Sequence, residues 1–357
     1  MYAARRNGDT DMTPLPKTVR EVRLKSRPQG MPQATDFEIA EVPMPVPGDG
    51  QMLIRTVHMS VDPYMRGRMS DRKSYAPPFE LGKAMDGRFV GEVMESKGGR
   101  FEKGAYVAGF GGGWKEYHVA DGKGLLQVDP DLAPLPAWIG VLGMPGMTAY
   151  VGLLDIGQPK PGETVFVSAA SGAVGALVCQ IAKIKGCRVV GSAGSDEKCR
   201  WLLDEAGVDA AVNYKTCGDL EAAVAQHCPD GIDVYFENVG GEHLVAALNL
   251  MNMHGRIAAC GMISRYNDAD GKPQPGPHNL FLVVGKRLRM QGFIVSDHAE
   301  RIGDFQRDVG GWIRAGKVKW KETVYDGLDR SPEAFLGLFK GDNFGKMVVR
   351  VGPERLG

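Results

Sequence analysis

The stretch that decides the fold is Thr164-Val-Phe-Val-Ser-Ala-Ala-Ser-Gly-Ala-Val-Gly-Ala-Leu-Val-Cys-Gln-Ile-Ala-Lys-Ile-Lys185. Its first four residues are an unbroken β-branched and aromatic run, the pattern of a strand buried on both faces of a parallel sheet. A turn of small residues, 169–175, follows in the order A-x-x-G-x-x-G. From 174 to 185 the apolar positions recur at helical spacing, so the grammar is strand, tight turn, helix. In that context small residues let backbone N–H groups approach a pyrophosphate at the positive end of a helix, and Gly175 lets helix and strand pack closely. The chain also carries a decoy. Gly109-Phe-Gly-Gly-Gly-Trp114 is richer in glycine, but it leads into the alternating Lys115-Glu-Tyr-His-Val119, a strand, and so lacks the helix end a phosphate needs.

Toward the C-terminus the alternation continues. Strands are predicted at 188–191, 211–213, 233–237, 256–260 and 288–295, with helices at 196–205, 219–226, 242–250 and 299–314. This is the pattern of an α/β, doubly wound parallel sheet. The Pro- and Gly-rich segment 265–279 has the length of a functional lid. Before the nucleating stretch the pattern differs. From residue 18 to about 128, short β-type runs are broken by Gly, Pro and Asp, which predicts an antiparallel, barrel-like unit. The tail 318–351 reads as strand, helix, strand and fits a return to that first unit. The expected organisation is a loose extension (1–17), a β-rich unit (18–142, completed by 318–357) and a nucleotide-binding unit (143–317).

The length, 357 residues, suits two domains, and 49 glycines are about 14%, near twice the usual share. Lys plus Arg is 43 and Asp plus Glu is 43, so net charge gives no electrostatic ground for a nucleic-acid or anionic-membrane partner. No apolar run is long enough to span a bilayer, and the polar N-terminus lacks the apolar segment of a secretory signal. Cys179, Cys187, Cys199, Cys217, Cys228 and Cys260 form no C-x-x-C pair, which suits reduced thiols and a cytoplasmic protein. No cysteine precedes residue 179, and where a His-Glu pair would serve a zinc the chain reads Gly82-Lys-Ala-Met-Asp86. His58 and His118 lie on strand patterns and read as surface or hydrogen-bonded histidines. No metal is expected.

The end of the second strand of the alternation selects the nucleotide. An NAD site wants a carboxylate about 20 residues after the turn, but Gly191-Ser-Ala-Gly194 has none, and Asp196 reads as a first-turn acid of the next helix. Lys198 and Tyr214 are placed to meet a 2′-phosphate, which points to NADPH; the alternative for Lys198 is a solvated helix charge.

Six ordered motifs carry a resemblance: Val61-Asp-Pro-Tyr-Met-Arg-Gly-Arg-Met69, Gly143-Met-Pro-Gly-Met-Thr-Ala-Tyr150, the 169–175 turn, Gly194-Ser-Asp-Glu-Lys198, Phe236-Glu-Asn-Val-Gly-Gly241 and Gly341-Asp-Asn-Phe-Gly-Lys346. From about Val19 onward the chain resembles the zinc-independent medium-chain dehydrogenase/reductases, in the subgroup of prostaglandin reductase (leukotriene B4 12-hydroxydehydrogenase) and the bacterial NADPH-dependent curcumin reductases. The resemblance implies a Rossmann domain inserted in a GroES-like β-rich domain, and NADPH-dependent reduction of a C=C bond conjugated to a carbonyl. It implies that Gly172, Ala173, Val174 and Gly175 hold the pyrophosphate, with Lys198 and Tyr214 on the 2′-phosphate and adenosine side. Asn238 would face the nicotinamide ribose. Cys260, Gly261, Met262, Ile263, Ser264, Arg265 and Tyr266, then Phe293, Ile294 and Val295, and finally Asn343 would line the rest. Prostaglandin reductases carry a tyrosine shortly before the 288–295 strand. Here the stretch is Val284-Gly-Lys-Arg287, closer to the curcumin-reductase branch.

Without a metal, hydroxyl donors must stabilise the charge that develops on the substrate oxygen. Tyr64 is the leading candidate, with packing at the domain junction as its alternative reading, and Tyr266 in the lid-like loop is second. Three activities fit: an enone or 2-alkenal reductase, a quinone reductase of the same superfamily, and a catalytically silent NADPH-binding protein. The family is commonly homodimeric.

Overall fold

A computed structural model describes residues 15–268 and 275–355. Most of the expected N-terminal extension, 1–14, and part of the lid-like loop, 269–274, lie outside the described residues. The first unit contains β1 (Thr18–Leu24), β2 (Phe37–Pro43), β3 (Met52–Ser60), β4 (Arg88–Ser96), β5 (Tyr106–Phe110), β6 (Tyr117–Ala120) and β7 (Leu126–Gln127). The second contains β8 (Thr164–Val167), β9 (Arg188–Ala193), β10 (Ala210–Asn213), β11 (Ile232–Glu237), β12 (Met251–Ala259) and β13 (Arg289–Gly292), and the tail adds β14 (Glu322–Asp326) and β15 (Lys346–Arg350).

Strands β10-β9-β8-β11-β12-β13 form one sheet in that order, every neighbouring pair parallel. The direction of winding reverses between β8 and β11, so ligands are expected at the carboxyl ends of these two strands. All four residues of β8 are buried, as its apolar run requires, and Phe166 stacks on Tyr235 of β11 at 5.2 Å. Two boundaries differ from the sequence reading. Strand β12 starts at Met251, straight out of the helix Gly241–Leu250. Strand β13 stops at Gly292 because the Phe293 ring leaves the sheet edge to pack edge-on against Phe236, at 6.5 Å.

The first unit is not one closed antiparallel barrel. Strands β1 and β2 pair as a separate ribbon, and the larger sheet runs β14-β15-β3-β4-β5-β7 with β6 also on β3. Strand β3 is buried along all nine residues because β4, β6 and β15 cover it. Strands β14 and β15 are parallel, which a sequential hairpin pattern does not anticipate; the helix Ser331–Lys340 supplies the crossover. The pairing Val348↔Ser60 joins the tail to the first unit.

Of the two strand histidines, His58 has the expected hydrogen-bonded state and His118 does not. His58 is buried, with Nε2 2.6 Å from Glu354 Oε1. His118 is buried edge-on against Phe89 at 4.3 Å, and neither ring nitrogen has a partner among the described residues. It fits because position 112 is glycine: a Cβ there would sit 2.1 Å from the imidazole. Burial, with Lys115 adding, pushes the His118 imidazole from 6.5 down to about 3. An unfolded chain takes up this proton from about pH 6.5 downward and the folded one does not, so stability present above that pH is lost progressively as pH falls toward 3. His118→Leu should flatten the acid limb of the stability profile by about 1 kcal/mol per pH unit below 6.5. Denaturant titrations across that range measure the slope, and parallel profiles for the two proteins would refute the assignment.

Candidate active site at the switch point of the parallel sheet

The turn after β8 has the predicted strand, turn and helix context. The Ala170 amide donates to Ser192 O at 2.8 Å and the Gly172 amide to Ala169 O at 3.0 Å, which closes the turn against β9. The helix then runs Gly175–Ile184. A Cβ on Gly175 would lie 2.4 Å from Ala169 O and 2.8 Å from Ala170 Cα, so only glycine permits this approach of helix to strand. No side chain caps the helix, and the amides of Val174 and Gly175 have no acceptor among the described residues. Unpaired N–H groups at a helix start form an anion cradle.

A cationic corner lies at the end of β9. Lys198 is in the first turn of the helix Asp196–Asp204, whose N-cap Ser195 accepts the Lys198 amide. The Lys198 ammonium is half-buried and donates to Gly341 O at 2.7 Å. Burial first, then the neighbouring Lys215, lowers its pKa. Tyr214 Oη lies 2.9 Å from the place of a Cβ on Gly194, and Lys215 Cε 3.3 Å from it. The sequence reading missed Lys215, which reaches Lys198 only because β10 lies beside β9. Two ammonium groups sharing a corner favour a polyvalent anion. Asp196 is occupied by Asn213 Nδ2 at 2.7 Å, consistent with its reading as a structural acid.

At the end of β11, Glu237 is fully buried. Its Oε1 accepts the Val239 and Gly240 amides at 2.6 and 2.8 Å, its Oε2 has no partner among the described residues, and burial raises its pKa. Asn238 fastens the ends of β8 and β11 together, donating from its backbone to Ser168 Oγ at 2.9 Å and from Nδ2 to Ser168 O at 2.7 Å. Cys260 and Gly261 both donate their amides to Glu237 O at 3.0 Å. Met262 leads into the short turn Ile263–Arg265, where Ser264 Oγ donates to Val239 O and Arg265 pairs with Asp268. Tyr266 follows, its hydroxyl 2.8 Å from the place of a Cβ on Gly261. Phe293 turns into the core, and Ile294 and Val295 lead half-buried into the turn Val295–Arg301.

Tyr64 precedes the helix Met65–Arg68 and is half-buried; its hydroxyl has no hydrogen-bond partner among the described residues. Burial, then Asp62, raises its pKa, and burial pushes Tyr266 up to about 12. Tyr75, which the sequence reading also missed, feels Arg68, Cys260 and Asp62, and Tyr266 feels Cys260 and Tyr75. These shared neighbours put phenols of both units within electrostatic reach of one another. Asp86 forms a bidentate pair with Arg68, whose guanidinium also lies over the Phe79 ring at 4.1 Å. Among the described residues no three His, Cys, Asp or Glu side chains gather to hold a metal.

The tail completes the site. Gly345 donates its amide to Ser171 O at 2.9 Å, inside the glycine turn. Asn343 Nδ2 donates to Gly345 O at 2.9 Å, and Phe344 meets Trp201 edge-on at 5.5 Å.

A glycine turn and an open helix start at the switch point of a six-stranded parallel sheet define a dinucleotide-binding oxidoreductase architecture. The family described as the N-terminal domain of oxidoreductases matches residues 20–128, and that described as zinc-binding dehydrogenase matches 173–309. NADPH-dependent curcumin reductase of Escherichia coli is 48% identical, over 93% of this chain and 96% of that protein. The NADP(+)-dependent 2-alkenal reductase of Nicotiana tabacum is 46% identical, over 94% and 98%. The crystal structure of CurA in complex with NADPH from Vibrio vulnificus superposes with a TM-score of 0.88 at 44% identity, over 94% of this chain and 100% of that one. The chain belongs to the medium-chain dehydrogenase/reductase family.

Gly345 has φ +68°, and a Cβ there would lie 1.9 Å from Lys321 O. Gly345→Ala should therefore destabilise the protein by about 1–3 kcal/mol, read as a lower denaturation midpoint; an unchanged midpoint would mean that the tail loop is not held in this geometry.

Proposed function

We propose that the protein reduces the C=C bond of α,β-unsaturated carbonyl compounds with NADPH. The observation that carries this reading is the anion cradle and its cationic corner at one switch point, with the half-buried, protonated phenols Tyr64 and Tyr266 contributed by the two units. Relatives 44–48% identical over more than nine-tenths of both chains support it.

The residues present fit the cofactor. The free amides of Val174 and Gly175 would hold the pyrophosphate beside Gly172 and Ala173. Lys198, Tyr214 and Lys215 would hold the 2′-phosphate. Asn238, the 260–266 turn and Asn343 would face the nicotinamide half, with Ile294 and Val295 at its margin. When bound, the cofactor supplies the hydride that reaches the substrate's β-carbon. Negative charge then builds on the carbonyl oxygen, and the α-carbon needs a proton. A phenol whose pKa is raised by burial stays protonated at neutral pH, so Tyr64 acts as a hydrogen-bond donor to that oxygen and not as a base. Tyr266 is the second donor.

This reading keeps the domain division at 142/143 and 317/318, which the β15 to β3 pairing supports. It also takes the protein as a cytoplasmic homodimer. The six cysteines are free, and β13 is a sheet edge beside the exposed Phe281 and Val284, surface suited to a second copy of the chain. No helix among the described residues is long and apolar enough to cross a membrane.

NADPH consumption across alkenals, aryl enones and quinones tests the activity: turnover with quinones alone would overturn it. Tyr64→Phe should lower kcat on an enone about a hundredfold with NADPH affinity within twofold, and undiminished turnover would remove Tyr64 from the mechanism. Lys198→Ala should raise the Michaelis constant for NADPH about tenfold or more and leave that for NADH unchanged; equal effects on both would sink the 2′-phosphate assignment.

A further inference from the structure

Lys346 is an unusual residue to find at the heart of a sheet. It opens β15, is 3% exposed, and its ammonium meets one acceptor for each of its three protons: Val61 O at 2.8 Å, Met347 O at 2.8 Å and Asp62 Oδ1 at 3.2 Å. Asp62 is equally buried, and its other oxygen accepts Ser60 Oγ at 2.5 Å. Glu322 is the other charged group acting on the ammonium. A buried ion pair stabilises a fold little or not at all compared with apolar residues of the same volume, so stability alone does not account for a lysine here. What the lysine does that an apolar side chain cannot is grip particular atoms.

Two of those three atoms belong to Val61 and Asp62, which lead through Pro63 into Tyr64. The Val61 amide donates in turn to Met347 O, at 3.4 Å, so the Val61-Asp62 segment is fastened to the tail by backbone and side chain together. The residue next to Lys346 in the chain is Gly345, which touches the glycine turn through Ser171 O and a parallel bridge to Gly172. Two adjacent tail residues thus touch both halves of the machinery. Gly345 seats on the dinucleotide turn, and Lys346 holds the base of the Tyr64 turn.

We propose that Lys346 is a positioning residue that links the state of the dinucleotide turn to the placement of Tyr64. The proposal rests on the reading of that turn and of Tyr64 given above. Occupation of the turn by the cofactor stiffens Ser171 and Gly172, Gly345 follows through its hydrogen bond, and Lys346 passes the constraint to Asp62 and so to Tyr64.

The test compares hydrogen exchange in residues 61–69 of the full chain with and without NADPH. In the native protein NADPH should slow exchange there about tenfold. Asp62→Asn/Lys346→Met removes both charges, leaving no unpaired ion in the core. It should bind NADPH within threefold of the native affinity yet lose the slowing. Its kcat on an enone should fall about tenfold or more with the enone KM little changed, and adding Tyr64→Phe to it should cost nothing further. Should that protein not fold, Asp62→Asn/Lys346→Gln, which can still bond one carbonyl, takes its place. Slowing that survives in the double variant, or a Tyr64→Phe penalty of equal size in both backgrounds, overturns the proposal. Absence of enone turnover in the native protein would fail the activity reading instead, and the exchange comparison would still decide the link.

Discussion

Backbone meets backbone at the end of β8, where Gly175 lies so close to Ala169 O that a single methyl group would be excluded. That contact sets the helix Gly175–Ile184 directly on the turn and leaves the Val174 and Gly175 amides without an acceptor among the described residues. The parallel order of the sheet places this cradle at the one point where neighbouring strands diverge in connection, so β9, β11 and β12 all deliver their carboxyl ends beside it. Lys198 and Lys215 arrive at one side by way of β9 and β10, and the 260–266 turn at the other by way of β12. A fold that failed to make the Gly175 contact would misplace every one of these groups together.

What the sequence made legible is what depends on neighbours in the chain. The apolar run at Thr164, the small-residue turn and the helical spacing after it are all local signals, and they sufficed for the architecture. Lys198 and Tyr214 are legible as candidates because they fall at set distances along strand and helix from that turn. The features that escaped are those made by tertiary adjacency. Lys215 reaches the cationic corner only through the pairing of β10 with β9. Val61 and Lys346 meet across 285 residues, and no periodicity in either segment announces it. Tyr75 sits in an irregular stretch with no pattern to single it out. His118 was misread because a strand histidine is usually hydrogen-bonded or exposed, and the space that buries this one is made by Gly112 from the turn before it.

The neutral net charge conceals a division of labour. The nucleotide side carries ammonium groups that remain partly open to an incoming anion. The β-rich side keeps its strongest charges matched internally, with Arg68 on Asp86 and Lys346 on Asp62. Between them stand the half-buried phenols Tyr64 and Tyr266, whose protons burial holds. The charges near Tyr64, Asp62 and Arg68, are each matched by a partner, and a neutral donor there gains most from a low-dielectric surrounding.

The pairing of β15 with β3 also has a consequence for how the chain is made. Strand β3 is wholly buried in the finished protein, yet one of the strands that covers it is made only after every strand of the six-stranded sheet has been made. Until then its apolar edge is open, while the nucleotide unit already has all six strands of its sheet available for folding. Synthesis thus passes through a species with a finished cofactor half and an unfinished substrate half, and the unpaired β3 edge is where that species is most exposed to wrong association. A chain lacking β15 would be held in that same vulnerable state.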